Sequence, residues 1–425
     1  MPRALLVNPW IHDLAAQDRF AFPLGLLSVG SALRQAGYQL DLCDLLRLPG
    51  LPAGTQFIPK PAAYARVRRR YRRLGVRPEA ARAWLSSRPR PDLVLVTTVM
   101  TYWYPGVVEA VGLVKEVFPG APVALGGVYA TLMPDHARAV TGADFIAVGD
   151  GLAALPHFLD SLGLPSALPQ VPPPPAWELY GSLPTAAVLF GRGCFRDCPY
   201  CASRLLNPGF SRRGPGDAAD EIERLVCSHA ASDLAFYDDA LLAGGDGWLL
   251  ALLEELDRRE VRVRFHAINA MHLKGFTPSL AQAMRRAGFR TVRFGLETAD
   301  PARGEKLGDK AALDDLARAA EGLWAAGYAP GEIGVYLLVG LPGQRPAEVE
   351  AGIRAALAAG ARPYLTEYSP VPGTALWPEA VAAAPFDLAA EPLYHNNTII
   401  SAAHPDFTPA ELQRLKNLTR APFQG

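Results

Sequence analysis

Six short runs of apolar or small residues, each tied to a stretch of helical periodicity, fill the second half of this 425-residue chain and constrain its fold more than any other feature. The runs lie at 186–190, 234–237, 261–266, 292–295, 333–339 and 364–368, and the helical stretches between them at 218–229, 248–259, 280–287, 311–326 and 347–359. Continuous rather than alternating apolar strands belong to parallel sheets covered on both faces. Strand and helix repeated at this interval predict an open six-unit relative of the α/β barrel. Sites in such folds are built at the carboxyl ends of the strands, so the residues just beyond each run are the ones to read.

The first run leads directly into Gly191-Arg192-Gly193-Cys194-Phe195-Arg196-Asp197-Cys198-Pro199-Tyr200-Cys201, where three of the chain's five cysteines fall within eight positions. Thiolates bind soft metals and iron–sulfur clusters. Three on one loop can hold three irons of a [4Fe–4S] cube and leave the fourth without a protein ligand, an open position for substrate or cofactor. A structural zinc site needs four ligands, and only Cys227 or His229 is at hand to complete one. A disulfide framework is disfavoured, because clustered cysteines without a signal peptide do not look like a secreted scaffold.

The first 160 residues alternate in the same way. Runs at 4–8, 39–44, 93–97, 123–125 and 145–148 read as strands, with helical patterns at 24–36 and 107–118 between them. Ligands of open parallel sheets sit outside the carboxyl ends of the strands. Those ends carry Asn8, Thr97 and Thr98, Gly126 and Gly127, and Gly149-Asp150-Gly151, residues small or polar enough to let a flat ligand approach the backbone. Residues 66–73, Arg-Val-Arg-Arg-Arg-Tyr-Arg-Arg, read as a solvated helix face or a phosphate contact. The aromatic run around Tyr102 and Trp103 reads as a ligand-stacking or substrate-lining segment, or as packing at a domain interface.

Four consecutive prolines, 172–175, cannot continue a helix or a central strand and mark a stiff connector. The expected organisation is therefore a first domain at 1–160, a linker at 161–183, a second domain at 184–375 and a tail at 376–425 covering the barrel. Formal net charge is zero and the pI near 7.1, so the bulk field points to neither nucleic acid nor an acidic surface as partner. No long apolar run or leader appears, which predicts a cytoplasmic protein with no membrane partner.

Cys194-x3-Cys198-Pro199-Tyr200-Cys201, with its aromatic before the last cysteine, resembles the radical S-adenosylmethionine (SAM) superfamily, and the alternation after it resembles that family's partial (β/α)6 barrel. The first domain, with Phe22-Pro23-Leu24-Gly25-Leu26-Leu27, Gly126-Gly127 and Gly149-Asp150-Gly151, resembles the Rossmann-like, doubly wound cobalamin-binding domain found ahead of many such barrels. It departs from one pattern: the D-x-H-x-x-G signature, whose histidine coordinates cobalt in some cobalamin enzymes, is absent. The resemblance implies a [4Fe–4S] cluster on Cys194, Cys198 and Cys201. It implies SAM near Tyr200, Asp238, Asp239, Glu297 and Gly340. It implies cobalamin near Asn8, Thr97, Thr98, Gly126, Gly127, Gly149 and Gly151.

Tyr102, Trp103, Glu367, His395 and Asn396 are the candidate substrate contacts. The expected activity is methylation of an unactivated carbon on a small-molecule or peptide substrate, through a 5′-deoxyadenosyl radical and cobalamin, with one electron from an external donor of flavodoxin or ferredoxin type. Rearrangement, ring contraction or other hydrogen abstraction without methyl transfer is the alternative outcome, and a non-catalytic metal-binding scaffold the alternative from another class.

Overall fold

A computed structural model describes residues 1–16 and 19–422. Its contacts divide the chain into two compact units, Met1–Gly181 joined by Leu388–Thr398, and Ser182–Asp387 joined by the residues from Ile399 onward.

The first unit is built on five parallel strands, β1 (Arg3–Asn8), β2 (Gln39–Asp44), β3 (Leu93–Val96), β4 (Val123–Leu125) and β5 (Phe145–Ile146), in the order β2-β1-β3-β4-β5. Leu5, Val7, Val94 and Val96 are buried in one core with residues of the helix Tyr104–Val117, which is why these strands read as continuous apolar runs. The order reverses between β1 and β3, and the crevice at that switch point, beyond the carboxyl ends, is where such sheets take ligands.

Beside this sheet lies a three-stranded antiparallel sheet, Ile11–Asp13, Arg72–Val76 and Ala53–Phe57. It corrects the reading of the arginine cluster, since 66–71 form no helix and Arg72 and Arg73 open a strand paired on both sides. Arg73 is held by Glu109 and packs over Trp10, and Arg72 donates to the Ala16 carbonyl. Pairing with two neighbours overrides the local preference of an arginine run for helix.

The second unit contains six parallel strands, β6 (Thr185–Val188), β7 (Asp233–Phe236), β8 (Arg264–Met271), β9 (Phe289–Glu297), β10 (Ile333–Val339) and β11 (Arg362–Glu367), paired strictly in chain order. Helices Pro215–His229, Gly247–Arg258, Pro278–Ala287, Leu313–Ala325 and Pro346–Ala358 alternate with them. β8 and β9 run further than their apolar cores suggested, and the β9–β10 register shifts between Gly295 and Glu297. Among the described residues no helix is long and apolar enough to cross a membrane.

The segment after the prolines is no free linker: Ala176 N donates to Leu27 O, and Trp177 is buried against Phe22. The expected single tail divides as well, because Leu388–Thr398 belong to the first unit while the closing helix Pro409–Leu418 belongs to the second.

Candidate active site at the cysteine loop

The cysteine loop leaves β6 and is pinched at its base by a two-residue antiparallel ladder, Gly191–Arg192 with Ser211–Arg212. Gly193, at φ +80°, sits where an added Cβ would lie 1.9 Å from the Gly209 carbonyl oxygen, so only glycine closes this neck. Asp238, just beyond β7 and 2% exposed, accepts from the backbone N–H of Gly191 at 2.6 Å and of Phe190 at 3.3 Å. Burial nevertheless pushes its carboxyl up to about 6. Arg212 donates to the carbonyls of Ala240 and Ala243 and lies over Trp248, fixing the other side of the neck.

All three cysteines are free thiols. Arg196 N approaches Cys194 Sγ at 3.4 Å and Ser203 N approaches Cys201 Sγ at 3.5 Å. Ser203 in turn donates its hydroxyl to Asp239 at 2.5 Å. Burial raises the Cys198 and Cys201 thiols, opposed at Cys198 by the Lys310 ammonium. Among the described residues no group of three or more His, Cys, Asp or Glu is placed to hold a single metal ion. The candidate fourth zinc ligands lie elsewhere: Cys227 and His229 end the helix Pro215–His229, and the His229 carbonyl accepts from Leu183, at the amino end of β6.

Glu297 ends β9 in the left-handed region at φ +69°, a strained conformation for a side chain of this size. Its carboxylate, which is buried, is 2.6 Å from the nearly buried Lys310 Nζ. Burial lowers Lys310, but Glu297 first and the Cys198 and Cys201 thiols after it raise it further, leaving it above its ordinary value. Sequence reasoning missed Lys310. The available signal was composition, since lysine occupies only six positions against thirty-six arginines. His272 was also missed, because β8 was expected to end near His266. That strand carries on to Met271, and His266 itself lies at the amino end, bonded to Asp233 and Thr291.

Arg196 Nε and His272 Nδ1 are buried around this loop without a partner among the described residues, while the Tyr200 hydroxyl is directed at the Cys198 thiol. His272 packs on Phe195 with ring centroids 5.2 Å apart, and burial followed by the charges of Lys310 and Arg196 holds it down to about 3. Tyr368 Oη, beyond β11, and Ser401 Oγ are orphaned in the same way. Native structures rarely leave such atoms unsatisfied, so the carboxyl face is chemically prepared for a polar ligand. Gly340 opens a turn whose N–H groups bond Gln344 Oε1, and Ile400 packs so closely that a Cβ on Gly340 would meet it at 2.0 Å. Glu367 is paired with Lys416 at 2.5 Å.

In the first unit the carboxyl edge of the five-stranded sheet is open and largely apolar. Val99, Met100 and Val148 are exposed, and Gly149 faces free space. Gly127, at φ +93°, lies so near β3 that a Cβ would come within 2.8 Å of both the Thr98 carbonyl oxygen and Thr97 Oγ1. Asn8 is engaged by Asp44 at 2.8 Å, and Asp150 caps the helix that starts at Gly151. Trp103 donates to Asp13 at 2.6 Å, and Tyr102 is buried beside it. His395 and Asn396 are wholly buried in this unit, His395 bonded to Thr101 at 2.9 Å and to the Leu388 carbonyl at 2.8 Å. Asn396 interacts with Tyr64 and accepts from Thr398 N, whereas Tyr71 Oη has no partner among the described residues.

Residues 188–356 match the radical SAM superfamily and residues 18–159 match the B12 binding domain. Over 335 residues, 69% of this chain and 70% of the relative, the sequence is 24% identical to the uncharacterized methyltransferase PH0819 of Pyrococcus horikoshii. The fold is similar to that of the radical SAM methyltransferase TsrM from Kitasatospora setae, solved with tryptophan substrate and the SAM analogue aza-SAM. That likeness has a TM-score of 0.69 at 18% identity and covers 98% of this chain and 89% of that one. A second TsrM structure, with cobalamin and a [4Fe–4S] cluster, gives 0.65 at 18% identity over 90% and 75% of the two chains. The cobalamin-dependent SAM radical enzyme OxsB, with aqua-cobalamin, gives 0.59 at 12% identity over 93% and 57%.

Proposed function

This chain belongs to the radical SAM superfamily and carries a B12-binding domain ahead of its radical SAM domain, and from that premise we propose that it methylates an unactivated carbon of a small-molecule or peptide substrate. The observation that carries the reading is the cysteine loop itself: three free thiols on one glycine-necked loop at the carboxyl end of six parallel strands, with the buried Arg196 Nε and His272 Nδ1 unpartnered among the described residues.

The residues fit the groups this reading requires. Cys194, Cys198 and Cys201 would hold the [4Fe–4S] cluster, with the Arg196 and Ser203 amides on their sulfurs. Tyr200, Asp239, Glu297 and Gly340 would border SAM. Asp238 serves that site by holding the loop, since two backbone amides already claim its carboxylate. The apolar, glycine-opened edge of the first sheet suits a flat macrocycle, with Thr97, Thr98, Gly126, Gly127, Gly149 and Gly151 beneath it and Asn8 bracing the end of β1 through Asp44. When bound, the cluster with SAM supplies a hydrogen-abstracting radical and cobalamin supplies a transferable methyl group.

The protein's own part is to place these groups and keep water from the radical. Tyr102, Trp103, Glu367, His395 and Asn396 remain the proposed substrate contacts. A flavodoxin- or ferredoxin-type donor in a reducing, cytoplasmic setting would deliver the electron.

The test is anaerobic reconstitution with iron, sulfide and hydroxocobalamin, followed by reduction in the presence of trideuteriomethyl-SAM and tryptophan, peptide or metabolite pools. Retained cluster and corrinoid absorption, 5′-deoxyadenosine release and a trideuteriomethyl group on carbon are expected. 5′-Deoxyadenosine without label transfer would replace methylation by hydrogen-abstraction chemistry, and no SAM cleavage in the reduced protein would leave a metal-binding scaffold.

A further inference from the structure

The chain uses arginine six times as often as lysine, yet the cation buried behind the cysteine loop is a lysine. Lys310 Nζ and Glu297 Oε1 are 2.6 Å apart, with side chains 11% and 7% exposed. Gly295, two residues back from the end of β9, leaves room for them: a Cβ there would stand 2.4 Å from Lys310 Nζ and 2.5 Å from Glu297 Oε1. Lys310 meets Glu297 as a compact ammonium point charge rather than as an arginine fork.

The segment that carries Lys310 is locked onto the loop. Arg196 donates to the carbonyls of Gly308 and Asp309 at 3.4 and 3.1 Å, Lys274 holds the Asp309 carbonyl and carboxylate, and a Cβ on Gly308 would touch Cys198 Cα at 3.8 Å. Lys310 and Glu297 are thus charges of opposite sign, paired at 2.6 Å, and both act on the Cys198 thiol.

We propose that Lys310 and Glu297 form an opposed charge pair that sets the reduction potential of the iron–sulfur group held by Cys194, Cys198 and Cys201. This rests on the reading of the cysteine loop given above. Adding an electron makes the group more negative, so a nearby cation favours the reduced form and a nearby carboxylate opposes it. In a site drier than the surface these effects are not screened away, and net charge near the sulfurs is among the recognised determinants of cluster potential. As a pair the two charges nearly cancel. Removing one exposes the other.

The experiment is an EPR-monitored dithionite titration of the reconstituted full chain without SAM, with iron and sulfide counted in each sample. Lys310→Met should lower the midpoint and Glu297→Gln should raise it, each by at least a tenfold change in the reduction equilibrium, which is 59 mV for one electron. The double variant should return toward the wild-type value, a cancellation that loss of packing alone does not produce. Should Lys310→Met fail to load iron, Glu297→Gln and the double variant carry the same sign test. Shifts in one direction for all variants, or none at full iron occupancy, would overturn the charge pair while leaving the cluster assignment standing. A wild-type chain that takes up no cluster would overturn both.

Discussion

The neck of the cysteine loop rests on two residues whose roles are steric and electrostatic in turn. Replacing Gly193 by alanine costs about 1–2 kcal/mol for a left-handed side chain before the contact with the Gly209 carbonyl oxygen is counted. The expected result is loss of most reconstituted iron with the secondary structure retained, read by iron analysis and circular dichroism. Asp238 makes a prediction in acid. Burial raises its carboxyl from 3.8 to about 6, so between those values the folded protein binds more protons than the unfolded chain, and stability falls as pH rises through the window. The span corresponds to about 3 kcal/mol. In the cluster-free protein, Asp238→Asn should flatten that slope; an unchanged slope in urea titrations would exclude Asp238 as its source.

At the scale of elements, the two-residue ladder at 191–192 and 211–212 is too short to stand alone. What holds it is Arg212, which ties its second strand to the turn after β7 through the Ala240 and Ala243 carbonyls and packs between Phe210 and Trp248. Arg212→Ala should therefore loosen the loop between Gly193 and Gly209 without melting the six-stranded sheet. Hydrogen exchange should quicken by tenfold or more across 191–212 and stay unchanged in β7 to β10. Uniform acceleration would place Arg212 in the core of the unit instead.

At the scale of the whole chain, Leu388–Thr398 return to the first unit, where Tyr64 donates to the Leu393 carbonyl, Tyr104 to Glu391 and Thr101 meets His395. Burial holds His395 down from 6.5 to about 4, so between these values the unfolded chain binds more protons and stability is lost as pH falls. The contribution is about 3 kcal/mol and opposite in sign to that of Asp238 in the second unit. Calorimetry of the cluster-free chain across this window should show His395→Gln and Asp238→Asn changing the pH slope in opposite directions. Slopes of one sign for both variants would refute the assignment.

Periodicity and spacing determined a great deal by themselves. Apolar runs such as 93–97 and 333–339 can be buried on both faces only in parallel sheets, and three cysteines within eight positions must share one loop wherever the chain goes. The arginine run at 66–73 was beyond local reasoning, because its strand exists only through partners at Ile11–Asp13 and Ala53–Phe57 that are distant in sequence. So was the tail, which carries no pattern stating which unit will bury His395. Lys310 lies 13 residues from Glu297, with a helix, Pro301–Lys306, between them. Only the closing of the chain over Gly295 brings those two charges together behind the thiols, because burial and charge pairing are properties of an assembled surface and no stretch of sequence possesses them alone.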